Sequence, residues 1–506
     1  MNLQSFLHFI FLEKKNRVLL CLALGVTLVQ FILFKFLYPY PDFLEESYSY
    51  IFAASNNLDF NIFPIGYSKF LLAFHNLTHS DTALVAFQYF FLECSCLYFF
   101  FTLLYFYNPG KAFRNILFIF LFFNPLFLYL SNYINSDSIS TGLSLCWMAE
   151  LIWIINRPRP YQIISQVVFL FLTFTLRENI IYYPFISAFA FILSRQKPWV
   201  KLAGPLFSFM LIAIFIIRSR EAAYEMYDVK QFSPRSGWAL ANNALYMRGH
   251  IQVDSTEFTS AETRILDSVN RAFFRSIPSK QFNSFLSTHI LSFFMADQRS
   301  PMVQYYSRHY SSKDEYEAIK NFGQASVLFT KYGEFFIKKY PIAYIRYFVL
   351  RNTKNYFLPP LENLEIYNSE QDNVPPSVQD WFDLRTPQVT SISKDIQASI
   401  LYIYPSIFLF ASILFIGSLV WLVIKTRRRQ IRENWRNMML LGGSYLLANF
   451  LFSIFTTAIV LRYQILPLIL ILILPLLILD YLDKKEKVVP GVDSHTISTN
   501  LKVSNA

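Results

Sequence analysis

The chain has 506 residues, 54% hydrophobic and 19% aromatic, and only 16% of them are charged, whereas an ordinary soluble domain carries about 25% charged residues. With a mean hydropathy of +0.33, this composition excludes a typical soluble globule and implies an integral membrane protein. The formal charge of +11 is not a nucleic-acid signature: residues 219–396 balance 20 Lys+Arg against 19 Asp+Glu, and the excess lies in the apolar remainder, 25 against 15.

Apolar runs of about 18 or more residues, the length a helix needs to cross a bilayer, fall at 18–38, 82–107, 113–131, 138–156, 200–217, 398–424, 437–456 and 461–482. Two shorter candidates lie between 161 and 194, split by "RENIIYY", so the expectation is an all-α polytopic fold with about ten spans. The first run follows "FLEKKNR" and lacks a small-residue cleavage site, which predicts a retained span rather than a signal peptide.

Basic residues are one-sided. With the N-terminus inside, nineteen Lys and Arg fall in cytoplasmic connections, Arg427, Arg428 and Arg429 of "TRRRQIR" among them. The short connections opposite hold four: Lys35, Lys69, Arg177 and Arg462. Both termini are therefore expected in the cytoplasm. "TRRRQIR" could also serve as a site for anionic lipid or a partner.

The expected division is an N-terminal transmembrane module at 1–218 with about seven spans, an extracytoplasmic, mainly helical domain at 219–396, a C-terminal module at 397–487 with about three spans, and a disordered cytoplasmic tail at 488–506. In the outer segment "STEFTSAETRILDSVNRAFF" has Ser/Thr starts and apolar residues three and four apart, as amphipathic helices do. "YFLPPLENL" and "QDNVPPSVQDW" read as proline-rich connectors. Cys21, Cys94, Cys96 and Cys146 all lie in spans, and seven scattered His show no ligand spacing. Neither a disulfide framework nor a Cys- or His-based metal cage is supported.

Three carboxylates, Asp42, Glu45 and Glu46, stand directly behind the first span in "YPYPDFLEESYSYIFAA". On a helix, positions 42, 45, 46, 49 and 53 share a polar or small face opposite Leu44, Tyr48, Ile51 and Phe52, the pattern of a helix lying on the membrane surface. Carboxylates this close repel one another, so one should have a raised pKa or share a cation, and either condition suits a general base. The plain alternative is solvation of a loop end. Asp137, in "SNYINSDSIS", opens the fourth span, either as part of the same acid group or as a helix N-cap. Arg177 in "TLRENIIYYP" and Arg462 in "IVLRYQILP" stand at outer span ends, where they either snorkel or, facing the acids, clamp a lipid phosphate. "FPIGYSKFLLAF" puts Lys69 on a second surface helix, with Gly66 allowing a close approach. Mid-span, Glu93 and Glu150 suit helix-to-helix hydrogen bonds or, less simply, a transport path.

Taken in order, "PDFLEESYSYIFAA", "PIGYSKFLL", "NSDSIS", "LRENIIYYP" and "RYQILPLILIL" resemble the polytopic glycosyltransferases of class C, which move sugars from polyprenyl-phosphate carriers on the outer face of a membrane. In bacterial members the first motif often has Asp where this chain has Glu46. The resemblance implies Glu46 as the first candidate for the base, with Asp42 one turn earlier and Asp137 beside it, and Arg177, Arg462, Tyr463, Lys69, Tyr67 and Glu45 as substrate-binding residues. It also implies a bacterial inner-membrane enzyme with its site facing the periplasm or exterior, inversion at the sugar centre, and a lipid, glycan or protein acceptor. Asp42, Glu46 and Asp137 could hold a divalent cation such as Mg or Mn, and some members of the class work without one.

Two other readings stay open on sequence: a transporter or lipid flippase using Glu93, Glu150 and the arginines, and a non-catalytic scaffold binding a partner through 219–396. Scarce glycine, 13 residues, and the lack of paired Gly/Pro-broken segments weigh against the first. The transferase reading requires Glu46, Asp42 and Asp137 to meet Arg177 and Arg462 in one cavity.

Overall fold

The structure, a computed structural model, describes residues 5–258, 260–278, 280–281, 284–286, 290–426 and 431–487. The expected tail at 488–506 and Arg427, Arg428 and Arg429 lie outside the described residues. Among the described residues the chain is all helix and turn, with two isolated bridges, Asp42 to Tyr133 and Asn373 to Gln388, in place of any strand.

Eight helical stretches among the described residues are long and apolar enough to cross a membrane. They begin with α1 (Lys14–Leu37), which leaves Leu22, Leu28, Leu33 and Phe36 exposed. Water would penalise such a surface, and lipid is its natural solvent. Two shorter helices follow, α2 (Glu45–Ser55) and α3 (Gly66–His75), then the span α4 (Asp81–Tyr107). The run expected at 113–131 is divided into α5 (Lys111–Phe122) and α6 (Pro125–Asn132). Pro125 has no N–H to continue the ladder, and the Asn124 side chain accepts from Leu126 N at 3.2 Å to restart it. At the centre stands α7 (Asp137–Asn156), buried at every residue from Asp137 to Ile155.

The two shorter apolar helices are α8 (Pro160–Leu176) and α9 (Tyr183–Leu193), separated by a turn that carries Arg177 and Glu178. Next, α10 (Pro198–Tyr227) runs unbroken past residue 218, so the expected module boundary falls inside a helix. Within 219–396, α11 (Pro234–Arg248), α12 (Ala261–Ser276) and α13 (Glu315–Lys339) pack together. Ser260 caps α12 at Thr263 N, 3.1 Å, as the sequence pattern predicts. A buried pair, Arg248 Nε to Asp267 at 2.7 Å, ties α11 to α12.

The run expected at 398–424 begins early as α14 (Asp395–Leu401), which a short break separates from α15 (Tyr404–Thr426). The last spans are α16 (Glu433–Thr456) and α17 (Ile465–Lys487). Between them a short turn, Leu461–Gln464, carries Arg462 and Tyr463, and it is pinned by Leu461 N donating to Pro360 O at 2.9 Å.

Candidate functional site

A cavity of about 1050 Å3 opens between α2, the turn after α8, the start of α11 and the 457–463 connection. That volume accommodates a sizeable organic ligand. Glu45, Glu46, Arg177, Glu178, Arg235, Glu362 and Tyr463 are on its wall.

Glu46, in the first turn of α2, forms an ion pair with Arg462. Arg462 also places Nη1 3.7 Å from Asp137 Oδ2 and Nε 3.6 Å from Glu362 Oε2, and its Nη2 donates to Tyr463 Oη at 2.9 Å. Arg177, the residue that ends α8, is paired with Asp137. The Tyr463 ring lies 4.7 Å from the Arg177 guanidinium and 4.8 Å from that of Arg462, within cation–π range of both. Two arginines at the ends of apolar helices would be costly to desolvate alone, and the acids offset that cost.

The alternative of Asp137 as an N-cap is resolved by Asn135. Its Oδ1 accepts from Asp137 N at 2.9 Å and its Nδ2 donates to Asp137 Oδ2 at 3.1 Å, leaving the Asp137 carboxylate turned to the arginines. At 1% exposure Asp137 stands behind the arginines rather than on the cavity wall. Burial pushes the Glu46 carboxyl up, but Arg462, Arg235 and Arg177 outweigh that effect and hold it below the usual carboxylate range.

Asp42 is not in this group, so the convergence expected of five residues is met by four, Glu46, Asp137, Arg177 and Arg462, with Asp137 set behind the wall. It precedes α2 in extended backbone, bridged to Tyr133, with Asp42 N donating to Asn132 O at 2.9 Å, so the expected shared helical face does not reach it. Its carboxylate accepts from Asn368 N at 2.8 Å and Gln397 Nε2 at 3.2 Å, joining the loop before α2 to the segments before α15. Burial pushes Asp42 up to about 7, against the lowering effect of those donors and of Tyr133.

This shift has a stability consequence. Because the folded state keeps the proton that the unfolded chain releases near the ordinary value of 3.8, stability falls as pH rises from about 4 to about 7, and the full penalty applies above that. We expect the thermal midpoint in detergent to be lower at pH 8 than at pH 5, and Asp42→Asn, which mimics the protonated acid, to lose that share of the difference. An unchanged pH dependence in the variant would contradict the assignment.

Of the remaining expected residues, Glu45 and Tyr463 line the cavity, while Lys69 and Tyr67 do not. Lys69 pairs with Asp59 at 2.8 Å on the surface, and buried Tyr67 donates to Gln88 Oε1 at 2.7 Å in the core. Gly66 behaves as expected: a Cβ there would stand 2.5 Å from Thr175 O, so glycine lets α3 seat against the end of α8. Glu150 accepts from Tyr98 Oη on α4 at 3.1 Å, a helix-to-helix bond, and neither it nor Glu93 lines the cavity.

The set suggested for a divalent cation does not fit one. Asp42 is spent on Asn368 and Gln397, Glu46 and Asp137 are held by arginines, and among the described residues no group of three or more His, Cys, Asp or Glu is arranged to hold a metal ion. Three residues escaped the sequence reading. Glu178 sits inside the quoted "RENIIYY", Glu362 inside a stretch that reads only as a proline connector, and Arg235 in the 219–396 stretch, where no local pattern marks it.

Fold and cavity together define an all-α polytopic membrane protein with a charged chamber at the ends of its membrane helices. Comparison with protein-family models, curated proteins and solved structures finds no match to this chain.

Proposed function

We propose that the protein is a membrane glycosyltransferase that moves a sugar from a polyprenyl-phosphate donor to an acceptor hydroxyl, on the extracytoplasmic side of a bacterial inner membrane. The observation that carries this reading is the pairing of Glu46 with Arg462 beside Arg177 and Tyr463, on the wall of a large cavity where membrane helices end. A lipid-borne phosphate at that depth keeps its chain in hydrocarbon while its oxygens meet the guanidiniums.

In the proposed step the acceptor oxygen forms a bond to the anomeric carbon and the bond from that carbon to the phosphate oxygen breaks. The electron pair leaves on the phosphate, whose growing charge Arg177 and Arg462 offset. Glu46 takes the hydroxyl proton. In the resting site Arg462 suppresses its basicity, and a phosphate that engages Arg462 would weaken that hold, so the base becomes competent as the donor arrives. Attack from the face opposite the phosphate inverts the sugar centre.

The test is reconstitution. Purified protein in liposomes with polyprenyl-phosphate-linked sugars and a cell-envelope extract as acceptor should release polyprenyl phosphate and form a glycosylated product. Substrate-dependent movement of lipid or ions across sealed vesicles, with no glycosylated product, would replace this reading with transport.

A further inference from the structure

Four arginines line the cavity, and three of them are spent on acids: Arg177 on Asp137, Arg462 on Glu46, and Arg299 on Asp297 at 2.6 Å. Arg235 differs. Among the described residues no carboxylate stands within ion-pair distance of it; its guanidinium lies 4.6 Å from the centroid of the Phe63 ring, which also lines the cavity. A ring face steadies the flat of a guanidinium and leaves its N–H edge open.

The root of Arg235 is rigid. It sits in the first turn of α11, where Pro234 O accepts from Ser326 Oγ of α13, and a Cβ on Gly237 would run into the Ser326 carbonyl. From there it acts on Glu46 as well as on Glu178.

We infer that Arg235 is an oxyanion site on the outer wall of the cavity, taking a phosphate ester carried by one of its ligands. An oxyanion at Arg177 or Arg462 must compete with a resident carboxylate, whereas Arg235 offers paired donors with no such competitor. The inference deepens the transferase reading and rests on it for the choice of a lipid-linked probe. The phosphate could come from a lipid headgroup or from a water-borne ligand, and two probes separate these sources.

Full-length protein in nanodiscs is titrated with decaprenyl phosphate in the bilayer and, separately, with inorganic pyrophosphate in solution. Arg235→Gln should weaken whichever probe the wild type binds by about tenfold or more, as expected for loss of a charge-assisted contact. Arg235→Lys should recover part of the affinity, and Arg299→Gln, which removes an already paired arginine of the same wall, should bind as wild type does. A loss confined to decaprenyl phosphate assigns a lipid headgroup, and one confined to pyrophosphate assigns a water-borne ligand.

The site is refuted if Arg235→Gln binds both probes normally, if the wild type binds neither, or if Arg299→Gln loses as much. Sugar transfer by the wild type alongside normal probe binding by Arg235→Gln removes the oxyanion site alone. Probe binding that depends on Arg235, without transfer from any lipid-linked sugar, removes the transferase reading alone.

Discussion

Glu46→Gln should lower sugar transfer from a polyprenyl-phosphate donor by about 10²–10⁴-fold, the usual contribution of a general base, while leaving the protein inserted and folded. The carboxamide keeps the shape of the side chain and can still accept from Arg462, but under the proposed mechanism it cannot take the proton that the acceptor hydroxyl would lose. It also leaves the charge of Arg462 less fully offset, which favours an arriving phosphate. The expected signature is thus a collapse of kcat with a donor KM that is unchanged or lower. Turnover like that of the wild type would move proton abstraction to another acid on the wall, with Glu178 and Glu362 the first to test, since Asp42 and Asp137 are not on it.

Arg462→Ala should be more damaging, because one guanidinium faces Glu46, Asp137 and Glu362 together. Removing it takes the ion-pair partner from the largely buried Glu46 carboxylate, while Asp137 keeps Arg177; breaking a buried pair costs on the order of 3–5 kcal/mol. Under the proposed mechanism it also removes the cation opposite the leaving phosphate, worth about 10²–10³ in kcat by analogy with other preorganised donors. Donor KM should rise as kcat falls. Arg462→Lys should restore some stability but little turnover, since a point charge cannot serve several oxygens from one plane. Kinetics with donor and acceptor varied in turn, beside thermal midpoints in detergent, check both parts. If only acceptor use suffers, the phosphate assignment to Arg462 is wrong.

The membrane helices were legible in the sequence because hydropathy summed over about 18 residues is a strong signal. Interruptions inside a run were harder to read. The break at Asn124 and Pro125 lies within residues apolar on both sides, and it shows only when the proline is weighed against the run around it. For the site, position along the spans was enough to bring Glu46, Asp137, Arg177 and Arg462 to one level. Asp42 departs from the expected face for a local reason: the helical period stops short of it, because the backbone there is extended and pairs with Tyr133. Lys69 and Tyr67 lie on α3, but their side chains turn to Asp59 and Gln88, a rotation that spacing alone does not set. Arg235, Glu178 and Glu362 reach the cavity through tertiary packing, and no short-range pattern encodes that.

The contacts of Arg462 also bear on how the protein is made. Glu46 and Asp137 are synthesised hundreds of residues before the cation that faces them both, which belongs to the turn leading into the last membrane helix. A nascent or truncated chain lacking that turn would keep the Arg177–Asp137 pair but leave Glu46 without its ion-pair partner and the chamber wall incomplete. Ribosomal drop-off products should therefore be substrates for membrane quality-control proteolysis rather than stable partial folds.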